Sequence, residues 1–302
     1  MVRTITYTLL AFCLLCCGNS NVKDIERYQL HGNVERVDIV EDPHAATAAQ
    51  DDVNTSLREA QGDVNTSLQE AQGDVNTSLR GAIATWQSVH FNTDGMLDSI
   101  IFYSPQDTLR NIYVYNSKGL LSEIQVKHTD GKYEALYEYE YYDKTISSYA
   151  FRGVDMQVLY RWDYDIESGK QVGCRCYNEG VLINTSEYTY DGLDKTEKVY
   201  STEGELLGET TYKYVSPGRI SHISSNGFEI GVEYGDDNLP CYSTNAIIGH
   251  DGEIFTNSDS HLYGTIYYEY IKDEKGNWIE RTEYLGDKKV KGKTIRRNII
   301  YR

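Results

Sequence analysis

The chain has 302 residues, 27 of them tyrosine against 6 phenylalanine and 3 tryptophan, and a formal net charge of −17. So acidic a balance excludes nucleic-acid binding and electrostatic adhesion to anionic headgroups as principal roles, because both reward clustered Lys and Arg. Its dominant aromatic residue carries a polar tip, which suits sheet surfaces that are partly wet.

Residues 1–16 have the form of an export signal, with Arg3 ahead of an apolar run from Ile5 to Leu15 that is too short to stay as a membrane-spanning helix. The residues that follow, Leu14-Leu15-Cys16-Cys17-Gly18-Asn19-Ser20, resemble the lipobox of bacterial lipoproteins. The resemblance implies cleavage before Cys17, where Cys16 is the small preceding residue, and lipid attachment at Cys17; bulky Leu15 makes Cys16 the poorer choice. It further implies a protein anchored to a membrane rather than spanning it. Gly18, standing where an inner-membrane lipoprotein would have Asp, implies the outer membrane, with its periplasmic or cell-surface side left open. Removal of the leader takes away Arg3, its one charged residue, so the −17 becomes −18. Residues 17–30 are expected to be a lipid-anchored linker and 31–302 a β-hairpin repeat domain interrupted by an insert at 43–84.

Within that insert, Asp52 to Gly62 is followed by Asp63 to Gly73 with Gln69 in place of Arg58, and then by Asp74 to Arg80 before divergence, three successive eleven-residue repeats of which the last keeps only its first seven residues. Val53, Leu57, Val64, Leu68, Val75 and Leu79 form a stripe of helical spacing. Gly62 and Gly73 break it, and Asn-Thr-Ser triplets are poor helix formers, so a mobile excursion is favoured over a helix. Val34–Val40 and Trp86–Phe91 are then expected to be neighbouring strands that the insert merely separates.

Beyond the insert, tyrosine recurs at spacing two. In Tyr133 to Tyr141, one face carries Tyr133, Ala135, Tyr137, Tyr139 and Tyr141 and the other Glu134, Leu136, Glu138 and Glu140, the mark of a half-buried strand. Tyr188–Tyr190, Tyr212–Tyr214 and Ile266–Tyr270 repeat the alternation. Strands are separated by tips in which an aromatic residue precedes a short polar loop, a glycine and an apolar residue. Five copies are paired here: Phe91 to Leu97, Tyr115 to Leu121, Tyr177 to Leu182, Tyr200 to Leu206 and Tyr270 to Trp278. Glycine supplies the positive φ such loops need, and Asn or Asp ahead of it can hydrogen-bond its own backbone.

At these residues the sequence resembles the YD-repeat family of Rhs-type proteins, over a region from Phe91 to the carboxyl terminus. The resemblance implies an all-β architecture, an extended antiparallel meander of tyrosine-rich hairpins, and no activity. Burying the ring-bearing face requires the sheet to curl or wrap, as a sandwich, an open barrel or a solenoid.

Chemistry-bearing motifs are absent: there is no G-x-S-x-G, H-E-x-x-H, paired C-x-x-C or phosphate-cradling glycine loop. Asp163, Asp165 and Glu167 before Gly169 imitate the start of a calcium loop, but the glycine is one place late and Cys174 stands where a bidentate Glu belongs. Asp236-Asp237-Asn238 reads as a turn. Cys174 and Cys176 share a strand face in a geometry poor for a mutual disulfide, and Cys241 is left over. Lys288, Lys289, Lys291, Lys293, Arg296 and Arg297 crowd the last hairpin, where cations keep a terminal sheet edge from pairing with other chains. No catalytic, cofactor-binding or metal-binding residue is therefore assigned. The favoured role is a non-enzymatic binding module for a glycan or protein; the alternatives are a hydrolase of envelope or dietary polysaccharide using cleft carboxylates, and a structural spacer in a surface complex.

Overall fold

The computed structural model of the protein describes residues 28–42, 87–104, 107–225, 228–248, 254–255, 264–286 and 290–302. The leader, Cys17 and the duplicated insert lie outside these residues. The strands are β1 (Val34–Asp42), β2 (Gln87–Phe91), β3 (Leu97–Tyr103), β4 (Thr108–Tyr115), β5 (Leu121–His128), β6 (Tyr133–Tyr142), β7 (Thr145–Arg152), β8 (Val158–Glu167), β9 (Lys170–Asn178) and β10 (Val181–Asp191). They continue as β11 (Asp194–Tyr200), β12 (Leu206–Ser216), β13 (Arg219–Ser225), β14 (Phe228–Tyr234), β15 (Pro240–Thr244), the short β16 (Ile247–Ile248) and β17 (Ile254–Phe255), β18 (Thr265–Lys272), β19 (Trp278–Leu285) and β20 (Val290–Tyr301).

Eighteen of these form one antiparallel sheet in which each strand pairs with its neighbours in chain order, β16 and β17 pairing apart. The ring is closed by β1, which pairs with β2 through Ile39↔Gln87 to Arg36↔His90 and with β20 from Val34↔Tyr301 to Asp42↔Thr294. The sequence pointed to a curled meander; what forms is a closed barrel, neither solenoid nor open. Closure also corrects the reading of the basic last hairpin, because β20 has partners on both sides and there is no edge to protect. Arg296 instead pairs outward with Glu280 at 2.8 Å, and Arg297 is buried. β1 and β2 are neighbours, as expected of Val34–Val40 and Trp86–Phe91.

Alternation sorts the side chains. On β6 to β8, Tyr137, Tyr139, Tyr149 and Phe151 are buried in one cluster with Tyr160 and Trp162, its members drawn from neighbouring strands of the sheet. Large rings on the convex side of a closed barrel cannot hide themselves, so this is the lumen face. The opposite face carries ion pairs open to water: Arg152–Glu138 at 2.5 Å, Arg161–Asp163 at 2.7 Å and Arg175–Asp165 at 2.8 Å. A membrane-spanning barrel has the reverse arrangement, with apolar side chains outward. These strands therefore present a water-facing exterior. No helix among the described residues is long and apolar enough to cross a membrane.

The lumen face is apolar in three patches. The aromatic patch of β5 to β8 is the first. A second, around Ile223, Ile230, Val232 and Ile266, is capped by Ala246, Ile248 and Ile254 from the β15–β18 connection. In the third, Tyr28 and Leu30 pack with Val37, Ile39, Val89, Phe91, Trp278 and Ile295, so the segment before β1 occupies the lumen.

Hairpin connections alternate between the two mouths. Residues 28–33, Arg302 and the tips after β2, β4, β14 and β18 share one, called here the terminal mouth; residues 43–86 leave from the other, the insert mouth. Four of the five expected tips share one geometry. In the first, the Gly95 amide donates to the Asn92 carbonyl while Asn92 Oδ1 accepts from Asp94 and Met96; Asn116, Ser201 and Asp273 do the same for their loops. The Tyr177 copy departs: Glu179 and Gly180 both take positive φ in a tight two-residue turn that fits the twist of its strands.

Candidate functional site

Three stretches of chain meet at the terminal mouth: residues 28–33, the β14–β15 tip and the β18–β19 tip. Between them is a cavity of about 370 Å³ lined by Gln29, His31, Asp237, Leu239, Lys272, Lys275, Gly276 and Trp278, within the size range of small-ligand sites. Its frame begins with the tip at Asp273. That loop places Asn277, fully buried, so that its side chain accepts from the His31 amide at 2.5 Å and donates to the His31 carbonyl at 2.9 Å. Asn277 also donates to the Tyr301 hydroxyl at 2.5 Å, and Tyr301 donates in turn to Asp273. One buried amide thus ties the β18–β19 tip to the incoming segment and to the last strand.

The walls are charged and the floor is a ring. Lys275 lies over the Tyr301 ring at 3.3 Å, and Lys272 donates to Asp237 at 2.7 Å. Burial alone would raise the Asp237 and Asp273 carboxyls; hydrogen bonds from Lys272 to the first, and from Tyr301 and loop amides to the second, outweigh it and hold both below the usual carboxylate range. Both are ionised at neutral pH. Beneath, Trp278 is flanked by Tyr270, ring centres 5.9 Å apart, and by the guanidinium of Arg297, which donates to the Tyr28 carbonyl at 3.0 Å. Further in, Arg281 and Glu283 make a buried pair at 3.0 Å, and Arg281 donates to the Ile248 carbonyl at 2.7 Å. Ser243 meets the Tyr268 hydroxyl at 2.8 Å, and burial pushes that phenol up to about 12.

The insert mouth holds a different constellation. His128 at the end of β5 bonds Asp107 through Nδ1 and Glu134, 3.0 Å away, through Nε2. Hydrogen bonding to Asp107 first, and to Glu134 second, raises the imidazole above its ordinary value. Both ring nitrogens face a carboxylate, an arrangement that favours the protonated imidazole.

The residues singled out in the sequence are scattered. Asp163 and Asp165 serve outward ion pairs with Arg161 and Arg175, as a solvated strand face should. Asp237 does sit in a turn and also lines the cavity. Cys174 and Cys176 are buried on the lumen side of β9, and Cys241 is exposed. Among the described residues no group of His, Cys, Asp and Glu is arranged to hold a metal ion. Cys17 lies outside the described residues. Of the cavity's frame, sequence reasoning found the Lys275–Trp278 tip and missed Gln29, His31 and Tyr301, which no local motif links to it.

No protein-family model and no curated protein matches the sequence. Among solved structures the chain is similar to the crystal structure of TcdB2-TccC3-Cdc42, with 14% identity and a TM-score of 0.32 over 65% of this chain and 12% of that one. It is also similar to a porin-like protein from Bacteroides uniformis, with 13% identity and a TM-score of 0.38 over 67% of this chain and 94% of that one. A porin-like protein from Bacteroides vulgatus gives 11% identity and a TM-score of 0.33 over 68% and 98%. These are resemblances in β-structure and say nothing of role.

Proposed function

We propose that the protein is a non-enzymatic binding module of the cell envelope, attached through Cys17 to the outer membrane, whose barrel receives a glycan at the terminal mouth. The observation that supports this most is the composition of the cavity: hydrogen-bonding heads from Gln29, His31, Asp237, Lys272 and Lys275 converge on it, above the buried Trp278. Sugars present dense hydroxyl groups to such polar side chains, and a concave site of this volume suits one or two sugar units better than a flat protein surface. Glycoside hydrolysis requires two carboxyl groups facing each other about 5 to 10 Å apart. Asp237 is the one carboxylate among the lining residues and is already engaged by Lys272. The water-facing exterior of the strands suits a barrel that is tethered rather than embedded.

Glycan-array and calorimetric binding with the chain lacking residues 1–17 tests the reading. Binding is expected, and Lys275→Ala and His31→Ala should each weaken it at least tenfold with the fold retained. Absence of any glycan ligand, or binding indifferent to both substitutions, sinks the assignment. The anchor is tested separately: Cys17→Ala should move the protein out of the membrane fraction, and its retention there would remove Cys17 as the attachment point.

A further inference from the structure

The lining of the terminal-mouth cavity has an excess of positive charge, in a chain whose formal net charge is −17. Lys272 and Lys275 stand there against one carboxylate, Asp237. The Lys272 ammonium donates to Asp237 at 2.7 Å, and those two charges cancel in place. Lys275 is left. Its ammonium lies over the Tyr301 ring, 3.3 Å from the centroid, and among the described residues no carboxylate stands within ion-pair distance of it. A ring face takes up one side of an ammonium that has three donors, so hydrogen-bonding capacity remains. Behind the lining, the Asp273 carboxylate is spent on the Tyr301 hydroxyl and on the amides of Lys275 and Asn277. The buried Arg297 guanidinium, 3.4 Å from the Trp278 ring centre, adds a positive charge that offsets it.

Lys275 is also held in place. Its Cδ stands 3.5 Å from where a Gly32 side chain would begin, and the Tyr301 ring beneath its ammonium is fixed by hydrogen bonds with Asn277 and Asp273. Less side-chain freedom is then lost when a ligand arrives. We infer that the sugar recognised at this mouth is an acidic one, bearing a carboxylate or sulfate that the Lys275 ammonium receives, while Gln29 and His31 reach its hydroxyl groups. The inference rests on the glycan reading above. A lysine is a compact point charge without the planar fork of arginine, so the site selects for negative charge and not for the shape of the anion. A concave setting focuses the field of that charge beyond what a lysine on a flat strand exerts.

Calorimetry on the full protein in nonionic detergent tests this, with uronic-acid disaccharides and their methyl esters, and sulfated disaccharides and their desulfated forms. In each pair that binds, the acidic member is expected to be about tenfold tighter, with an affinity that falls as salt is raised. Lys275→Gln should bring the two members within about twofold of each other, and Asp237→Asn, which removes the lining carboxylate, should widen their gap by about threefold. Misfolding would lower the binding of both members alike, so the opposite signs expected of the two variants separate charge from damage. A preference confined to uronates or to sulfated sugars supports the inference and names the anion. Neutral members bound as tightly as acidic ones, or a gap that survives Lys275→Gln, overturn the acidic assignment and leave the glycan site standing. No binding by any member, charged or neutral, on this panel or on the glycan array overturns both.

Discussion

The guanidinium carbon of Arg297 lies 3.4 Å from the centre of the Trp278 indole ring, with both side chains buried. β20 and β19 contribute one residue each, and the Tyr28 carbonyl bonded to Arg297 brings in the segment before β1. The contact therefore sits where the barrel closes and where the cavity has its floor. Cation–π attraction between desolvated partners is worth about 2 kcal/mol. Trp278→Ala should cost about 3–5 kcal/mol by urea unfolding, as large-to-small changes in cores do. A double-mutant cycle with Arg297→Met should return a coupling near 2 kcal/mol; additive effects would mean that stacking contributes nothing beyond burial.

The shared tip geometry makes paired expectations of opposite sign. At Gly119, φ is +75° and a methyl group would meet nothing within 4 Å, so Gly119→Ala should cost about 1 kcal/mol through backbone strain alone. Met156 occupies the corresponding position of the β7–β8 tip, its amide bonding the Gly153 carbonyl, at φ 62°. Met156→Gly should raise stability by about 0.5–1 kcal/mol. Denaturation midpoints moving in the same direction for both would count against the equivalence of the two tips.

His128 and Asp107 give the molecule a pH signature. The imidazole is raised above its ordinary 6.5, so its contribution is complete below that value and fades as pH climbs through the folded-state value. The Asp107 carboxyl is lowered, chiefly by the His128 hydrogen bond, so its contribution is present above 3.8 and fades as pH falls below. The pair is fully made between roughly pH 4 and 6.5. An NMR titration should place the His128 midpoint above 6.5, and Asp107→Asn should lower it; a midpoint unchanged by that substitution would separate the two groups.

Thiol chemistry checks the sorting of strand faces. In the chain lacking residues 1–17, Cys241 is exposed while Cys174 and Cys176 point into the lumen side of β9. One thiol should react rapidly with an aromatic disulfide reagent, and two more only on unfolding. Three fast thiols would mean that β9 turns its other face to solvent.

Much of this was legible before any coordinates. Period-two tyrosine gives strand type and face together, because a strand has only two faces, and Tyr137 and Tyr139 are buried where Glu138 and Glu140 are not. Tip chemistry is local too, which is why Asn116 and Asp273 could be matched across the chain. Closure was not legible. Nothing in Val34 to Asp42 announces that this strand bonds to the one ending at Tyr301, since backbone pairing carries no side-chain signature at that separation. The cavity shares that blindness: Asn277 and His31 meet only because the ring closes.

A ring of paired strands has a counting rule that an open array lacks. Losing or gaining one strand would set two parallel neighbours at the seam, so growth of the circumference has to proceed by whole hairpins, each shifting the width of the lumen. Lengthening a connection leaves the perimeter untouched. Between Asp42 and Gln87 the chain is longer than a hairpin needs, the eleven-residue unit recurs in that stretch of sequence, and the flanking strands are hydrogen-bonded to each other.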